Sequence, residues 1–301
     1  MKRNVAGKVL LLIALSSIAS LAAITFFIFK EGLPLIFKVG IFNFLTGKEW
    51  SPSNGDFGIL PMILSSVWIT LGALVIGVPT GISCAVFLAE IVGDKIQKIL
   101  KPAIELLASI PSVVYGFMGV VILVPFIRET FGGPGFSLLA GSIILGIMIL
   151  PTIISISTDS LKAVPNSFRE ASISMGATRW QTTIFVTLRA ARTGILASVM
   201  LGMGRAIGET MAVIMVTGNA LNIPHSALDP IRPLTSNIAL EMGYATGDHQ
   251  KALFAIGIVL FVFIMILNVT ATYISRLGLK TSSPTGKTKQ KIRASSATTI
   301  S

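Results

Sequence analysis

The chain has 301 residues, of which 52% are hydrophobic and only 12% charged, with a mean hydropathy of +0.82. Soluble domains carry about 25% charged residues, so this composition excludes a water-facing surface over most of the chain and points to one membrane domain. The net charge of +11 would suggest nucleic acid in a soluble protein, but here the basic residues flank apolar runs and read as topology signals, so no nucleic-acid partner is expected.

A membrane helix needs about 20 apolar residues. The first such run, 9–29, follows Lys2, Arg3 and Lys8. It is longer than the apolar core of a signal peptide, about 7–15 residues, and has no clear small-residue cleavage site, so a retained helix is expected. Residues 61–91 form a second run, interrupted by Gly77 and Pro79, which predicts a kinked helix. Further spans are expected at 102–127, 137–157, 193–216 and 252–275, giving an all-α protein of about six transmembrane helices. Six crossings put both termini on one side. The segments on that side hold 17 of the 24 Lys and Arg residues, which makes it the cytoplasmic side.

The expected organisation follows. Residues 1–30 are an N-terminal transmembrane helix and 31–60 an extracytoplasmic loop. Residues 61–276 are the core, with a long cytoplasmic loop at 158–192. Residues 128–136 and 217–251 return to the outer side. The tail, 277–301, is basic and too poor in apolar residues to bury; it enforces topology or touches anionic membrane lipid. Cys84, the one cysteine, lies in an apolar run, and His225 and His249 are 24 residues apart in a loop, so no metal site is expected.

Three stretches carry candidate chemistry. In 104–117, Ser109 and Ser112 offer hydroxyls either to an anion or to a neighbouring helix. In the cytoplasmic loop, 167–175 predicts a short helix. Ser167 is placed to cap it with Glu170 completing a capping box, and Gly176 to end it. In 193–216, Arg205 and Glu209 are four residues apart and would share one helix face. A charge at the bilayer centre costs at least about 2.5–3.5 kcal/mol, so the two either pair structurally or line an anion path. Arg presents a planar fork of donors suited to phosphate oxygens. Gly204 and Gly208 give the same helix a small-residue surface that another helix can approach.

The loop resembles the EAA motif of ABC importer permeases. Glu170, Ala171 and Ser172 fill the triplet, Gly176 falls at the motif's spacing, Val186 stands for its Ile and Leu188 matches, while Arg189 stands where the family has Pro. Stretches 49–63, 104–117 and 204–219 resemble permeases of phosphate-specific ABC importers, more closely the C-type than the A-type membrane subunit. The resemblance implies a type I permease core plus one extra N-terminal helix, with Arg205 and Glu209 in the phosphate path. It implies that Glu170, Ala171 and Gly176 couple to an ATPase subunit dimer. It further implies a second, A-type permease subunit and an extracytoplasmic phosphate-binding protein as partners.

No GxxxxGK[ST] occurs; the nearest, at Gly286-Lys287-Thr288, has Thr281 in place of the first glycine. An enzyme is therefore not expected, no cofactor is expected in this chain, and ATP with its Mg would be bound by the partner. Two other readings are a permease for another oxyanion, such as sulfate or molybdate, and an ion-coupled secondary transporter working alone. A third is a structural or sensory membrane protein in which Arg205 and Glu209 are only a buried pair.

Overall fold

A computed structural model describes residues 2–280. The chain divides into two units, 1–264 and 265–301, and every site described below belongs to the first. The basic tail after residue 280 lies outside the described residues.

Helix α1, Lys2–Val39, is apolar all round between Val9 and Phe29, where Leu10, Leu12, Ile18 and Leu21 are more than 60% exposed. Such a helix is matched by lipid rather than protein. Its last third packs. Leu35 and Ile36 join Phe44 of α2, Ile41–Thr46, in a buried cluster with Ala252, Leu253 and Ile256 of α14, Asp248–Lys280. Gly32 permits this, because a Cβ there would lie 2.8 Å from the backbone of Phe254 and Ala255. A two-stranded antiparallel hairpin, β1 Trp50–Ser51 and β2 Asp56–Phe57, follows and leads into α3.

The core is α3, Leu60–Val86, packed along α7, Leu138–Lys162, and α11, Arg192–Gly208, packed on α7. Membrane helices associate through close packing rather than water exclusion. Gly77 and Gly81 of α3 receive Ile149 and Ile153 of α7, so that a Cβ at either would come within 2.7 Å of them. Gly202 of α11 sits over Ile153, and the buried hydroxyls of Ser157 and Ser198 meet at 2.7 Å.

Five helices among the described residues are long and apolar enough to cross a membrane: Val9–Val39, Leu60–Ile91, Ser112–Phe131, Leu138–Lys162 and Asp248–Thr270. A sixth span is the pair Arg179–Ala190 and Arg192–Gly208, bent by 69°. The first of these two segments contains α9, Arg179–Thr182, and α10, Leu188–Ala190, joined by a π-helical turn.

Two expected spans are corrected. The third does not run from 102. Residues Asp94–Ser109 form a separate helix, α4, and the span begins with α5, Ser112–Met118, and continues through a π-helical turn into α6, Val124–Phe131. Pro111 explains the break: it lacks an N–H and drives the preceding Ile110 to an extended ψ of 128°. The fifth does not run unbroken to 216. The chain leaves the helix at Glu209, whose ψ is 131°, and restarts as α12, Met211–Val216.

Candidate functional site

The break at Glu209 changes the geometry expected of the charged pair. Arg205 and Glu209 do not share a helix face, because Arg205 is in the last turn of α11 and Glu209 lies beyond its end. They form no ion pair. The Glu209 carboxylate instead turns to α12 and accepts the N–H of Ala212 at 3.3 Å. It thereby takes one of the orphan donors at the start of that helix, where negative charge is favoured. The Glu209 carbonyl accepts from Thr235 Oγ1 at 3.2 Å, which ties the break to α13, Leu234–Glu241. Half-buried Arg205 has no hydrogen-bond or ion-pair partner among the described residues.

Gly204 and Gly208 also differ from expectation within the chain. A Cβ at either would meet nothing within 4 Å. The packing glycine of α11 is Gly202, and the side bearing Gly204, Arg205 and Gly208 is left open.

Ser112 starts α5, which runs parallel to α12: Gly116 packs at Ala212 and Met215, and Gly119 at Val216. This register puts Ser112 level with the break before α12, at Gly208 and Glu209. Ser109 is on α4, and its hydroxyl donates to its own helix at Leu106 O, 2.7 Å away.

A second region lies at the end of the bundle where α3 and α7 terminate. Helix α8, Asn166–Ser174, has no buried residue. Ser167 does not cap it: the N-cap is Pro165, and the capping box expected with Glu170 is absent. A capping box does form one helix later, between Thr178 and Gln181. Gly176 terminates α8 as read from the sequence, with φ +84°. Ala177 N donates to Ser172 O and Gly176 N to Ile173 O, the paired bonds of a Schellman ending. Glu170, Ala171 and Gly176 are exposed, beside exposed Phe168, Ile173, Met175 and Trp180. Large apolar side chains thus stand uncovered beside a short polar helix.

The family described as "binding-protein-dependent transport system inner membrane component" matches residues 77–277. The chain belongs to this family of ABC importer permeases. It is 44% identical over 269 residues to "Probable ABC transporter permease protein YqgH" of Bacillus subtilis (strain 168), covering 87% of each chain. It is 38% identical over 253 residues to "Phosphate transport system permease protein PstC" of Mesorhizobium japonicum, covering 77% of each. The fold is shared with the MetNI methionine ABC transporter, at TM-score 0.54 and 21% identity over 73% of this chain and 94% of that one. It is also shared with a bacterial alginate ABC transporter, at TM-score 0.60 and 15% identity over 88% and 95%. The permease is thus a multi-pass membrane protein with an importer core, and α1 precedes the matched segment.

Sequence reasoning missed two sets of side chains in this permease. Arg169, next to Glu170, reaches back into the bundle. Its Nη2 donates to Glu90 Oε1 at 2.7 Å and to Leu161 O at 2.9 Å, and its Nη1 to Val164 O at 2.8 Å. One guanidinium thus clips α8 to the last turn of α7 and to the π-helical turn, Phe87–Ile91, that continues α3. At the opposite end, Glu241 is 6% exposed and holds three partners: Trp50 Nε1 and His249 Nε2 at 2.9 and 2.8 Å, and Arg232 Nη1 at 2.9 Å. This cluster joins the hairpin, α13 and α14. No local pattern could have found it, because Trp50 and Glu241 are 191 residues apart.

Proposed function

We propose that the chain is the membrane subunit of an ATP-driven importer that moves inorganic phosphate across the prokaryotic plasma membrane by alternating access. The observation that carries this reading is Arg205: a half-buried guanidinium without a partner among the described residues, on an open, glycine-flanked side of α11. An unpaired cation at membrane depth is costly, and an anion that arrives and leaves relieves that cost transiently. Ser112, level with the helix break, adds a hydroxyl, and Glu209 keeps the anion from binding too tightly to be released. Ser109 stands next to this path at the end of α4. The relatives named phosphate permeases support phosphate over other oxyanions.

The open side of α11 is completed by a second, A-type permease subunit, which supplies the other wall of the path. The α8 surface with Glu170, Ala171 and Gly176 docks an ATPase subunit dimer that binds ATP and Mg, and an extracytoplasmic phosphate-binding protein delivers the solute. By the distribution of Lys and Arg, both termini and the loop that carries α8 are cytoplasmic. Closure of the ATPase dimer moves α8, and a rigid short helix passes that movement to the spans on either side of it.

The test is ATP-dependent phosphate uptake in vesicles containing this chain, its partner subunits and the binding protein, with sulfate and molybdate as competitors. Uptake that needs every component and resists both competitors is expected. Uptake suppressed by sulfate or molybdate assigns another oxyanion, and uptake without the ATPase assigns a secondary transporter.

A further inference from the structure

At the α8 end of the bundle, α4 and the last turn of α7 line an open surface cavity of about 420 Å³, formed by Gln97, Lys98, Lys101, Pro102, Glu105 and Lys162. The helix that forms it has three sides. Lys98, Lys101 and Glu105 fall on a polar side. Ile96, Ile99 and Leu106 fall on an apolar side and are 56%, 71% and 68% exposed. Gln97 turns to the bundle, buried, where its Oε1 accepts from Lys162 and its Nε2 has no partner. Lys101 is paired with Asp159 of α7.

Three ammonium groups around one cavity attract an anion, and the charge balance restricts which. Glu105 and Asp159 offset two of the three lysines, leaving one net positive charge. A phosphodiester carries one negative charge and balances it; inorganic phosphate near neutral pH carries more. The uncovered apolar side of the same helix gives such a ligand somewhere to lay hydrocarbon, and basic pockets beside membrane helices suit phosphoryl headgroups.

We propose that this cavity is a phosphoryl-anion site, and that its occupant is the phosphodiester of an anionic phospholipid whose acyl chains lie against Ile96, Ile99 and Leu106. Lys98 and Lys162 supply the charge-assisted hydrogen bonds, and Lys101 stays with Asp159. The site is separate from Arg205 and does not depend on which solute the permease carries.

The full permease, with its partner subunits, is extracted from vesicles of equal phosphatidylcholine and phosphatidylglycerol, and retained lipid is identified by native mass spectrometry. Phosphatidylglycerol is expected to be retained over phosphatidylcholine. Lys98→Gln and Lys162→Gln should each lower that preference about fivefold, from the attraction of a single basic residue to an anionic headgroup, and the arginine variants should restore it. Lys95→Gln removes the same charge from the same helix outside the cavity and should change it little. A parallel arm measures inorganic phosphate binding in phosphatidylcholine alone: binding there that is lost in Lys98→Gln keeps the phosphoryl site but assigns it to the free ion. Equal retention of both lipids with no phosphate binding overturns the proposal, as does a loss in Lys95→Gln as large as in Lys98→Gln. Protection of the α4 apolar side by the second permease subunit, with no lipid retained, also overturns it.

Discussion

At the residue scale, the separation of Arg205 from Glu209 makes a clean experiment available. Were they a buried pair, removing one would strand the other. Glu209 has its own partner in the N–H of Ala212, so Arg205→Ala should leave the fold intact. Loss of charge-assisted contacts of about 1.5–3 kcal/mol predicts a fall of roughly 10- to 100-fold in phosphate uptake with an unchanged melting temperature. Lysine at 205 keeps charge but not the planar fork, and is expected to recover only part of the rate. Unchanged uptake in Arg205→Ala would remove it from the path. Glu241 gives the opposite pattern. It is buried under Trp50, Arg232 and His249, so Glu241→Ala leaves Arg232 without its carboxylate. The expected loss is about 3–5 kcal/mol of stability, read as a lower melting temperature of the purified permease, whatever happens to transport.

At the scale of elements, α8 is a short exposed helix whose own Arg169 reaches back to the bundle. Glu170, Ala171 and Gly176 face outward, while Arg169 turns back to Glu90, Leu161 and Val164. If Glu170 docks the ATPase as proposed and Arg169 transmits the movement, the two roles fall on adjacent residues and should separate on mutation. Glu170→Lys should weaken co-purification of the ATPase. Arg169→Ala should leave co-purification intact but loosen α8 from α3 and α7, so that ATP hydrolysis continues while uptake per ATP falls. Arg169→Lys should not restore coupling, because a single ammonium cannot reach a carboxylate and two carbonyls in the geometry of a fork. If hydrolysis and uptake fall in proportion, Arg169 has no separate role in transmission. The end of α8 at Gly176 was legible because its signal is local, a glycine closing a short helix. The anchor at Arg169 was not, since its meaning lies in Glu90, 79 residues away.

At the scale of the whole molecule, the membrane class and the number of spans were readable from apolar run length, because the bilayer sets it, whereas the importer core was readable only through the resemblance of the 170–188 loop and of stretches 49–63, 104–117 and 204–219 to permeases of that family. The breaks at Ile110 and Glu209 were not, because hydropathy continues across them. Pro111 carried a usable warning about the first. Nothing in the run from Gly204 to Val216 marks the second except glycine beside a carboxylate that caps the next helix. The same long-range blindness hid which glycines of α11 pack internally. Gly202 lies over α7, where a Cβ would be 3.1 Å from Ile153, whereas Gly208 has open space. This contrast allows folding of the chain to be tested apart from the pairing with a second permease subunit proposed above. Gly202→Leu should force α11 off α7 and destabilise the isolated chain by about 1–3 kcal/mol, as is typical of overpacking, or somewhat more. Gly208→Leu should leave the melting temperature of the isolated chain unchanged, because the side chain enters no occupied space, yet reduce recovery of the second subunit when the two are co-expressed. Recovery unaffected by leucine at 208 would mean that the open side of α11 is not the seam between the two halves, and the path would then have to be sought on another face of the bundle.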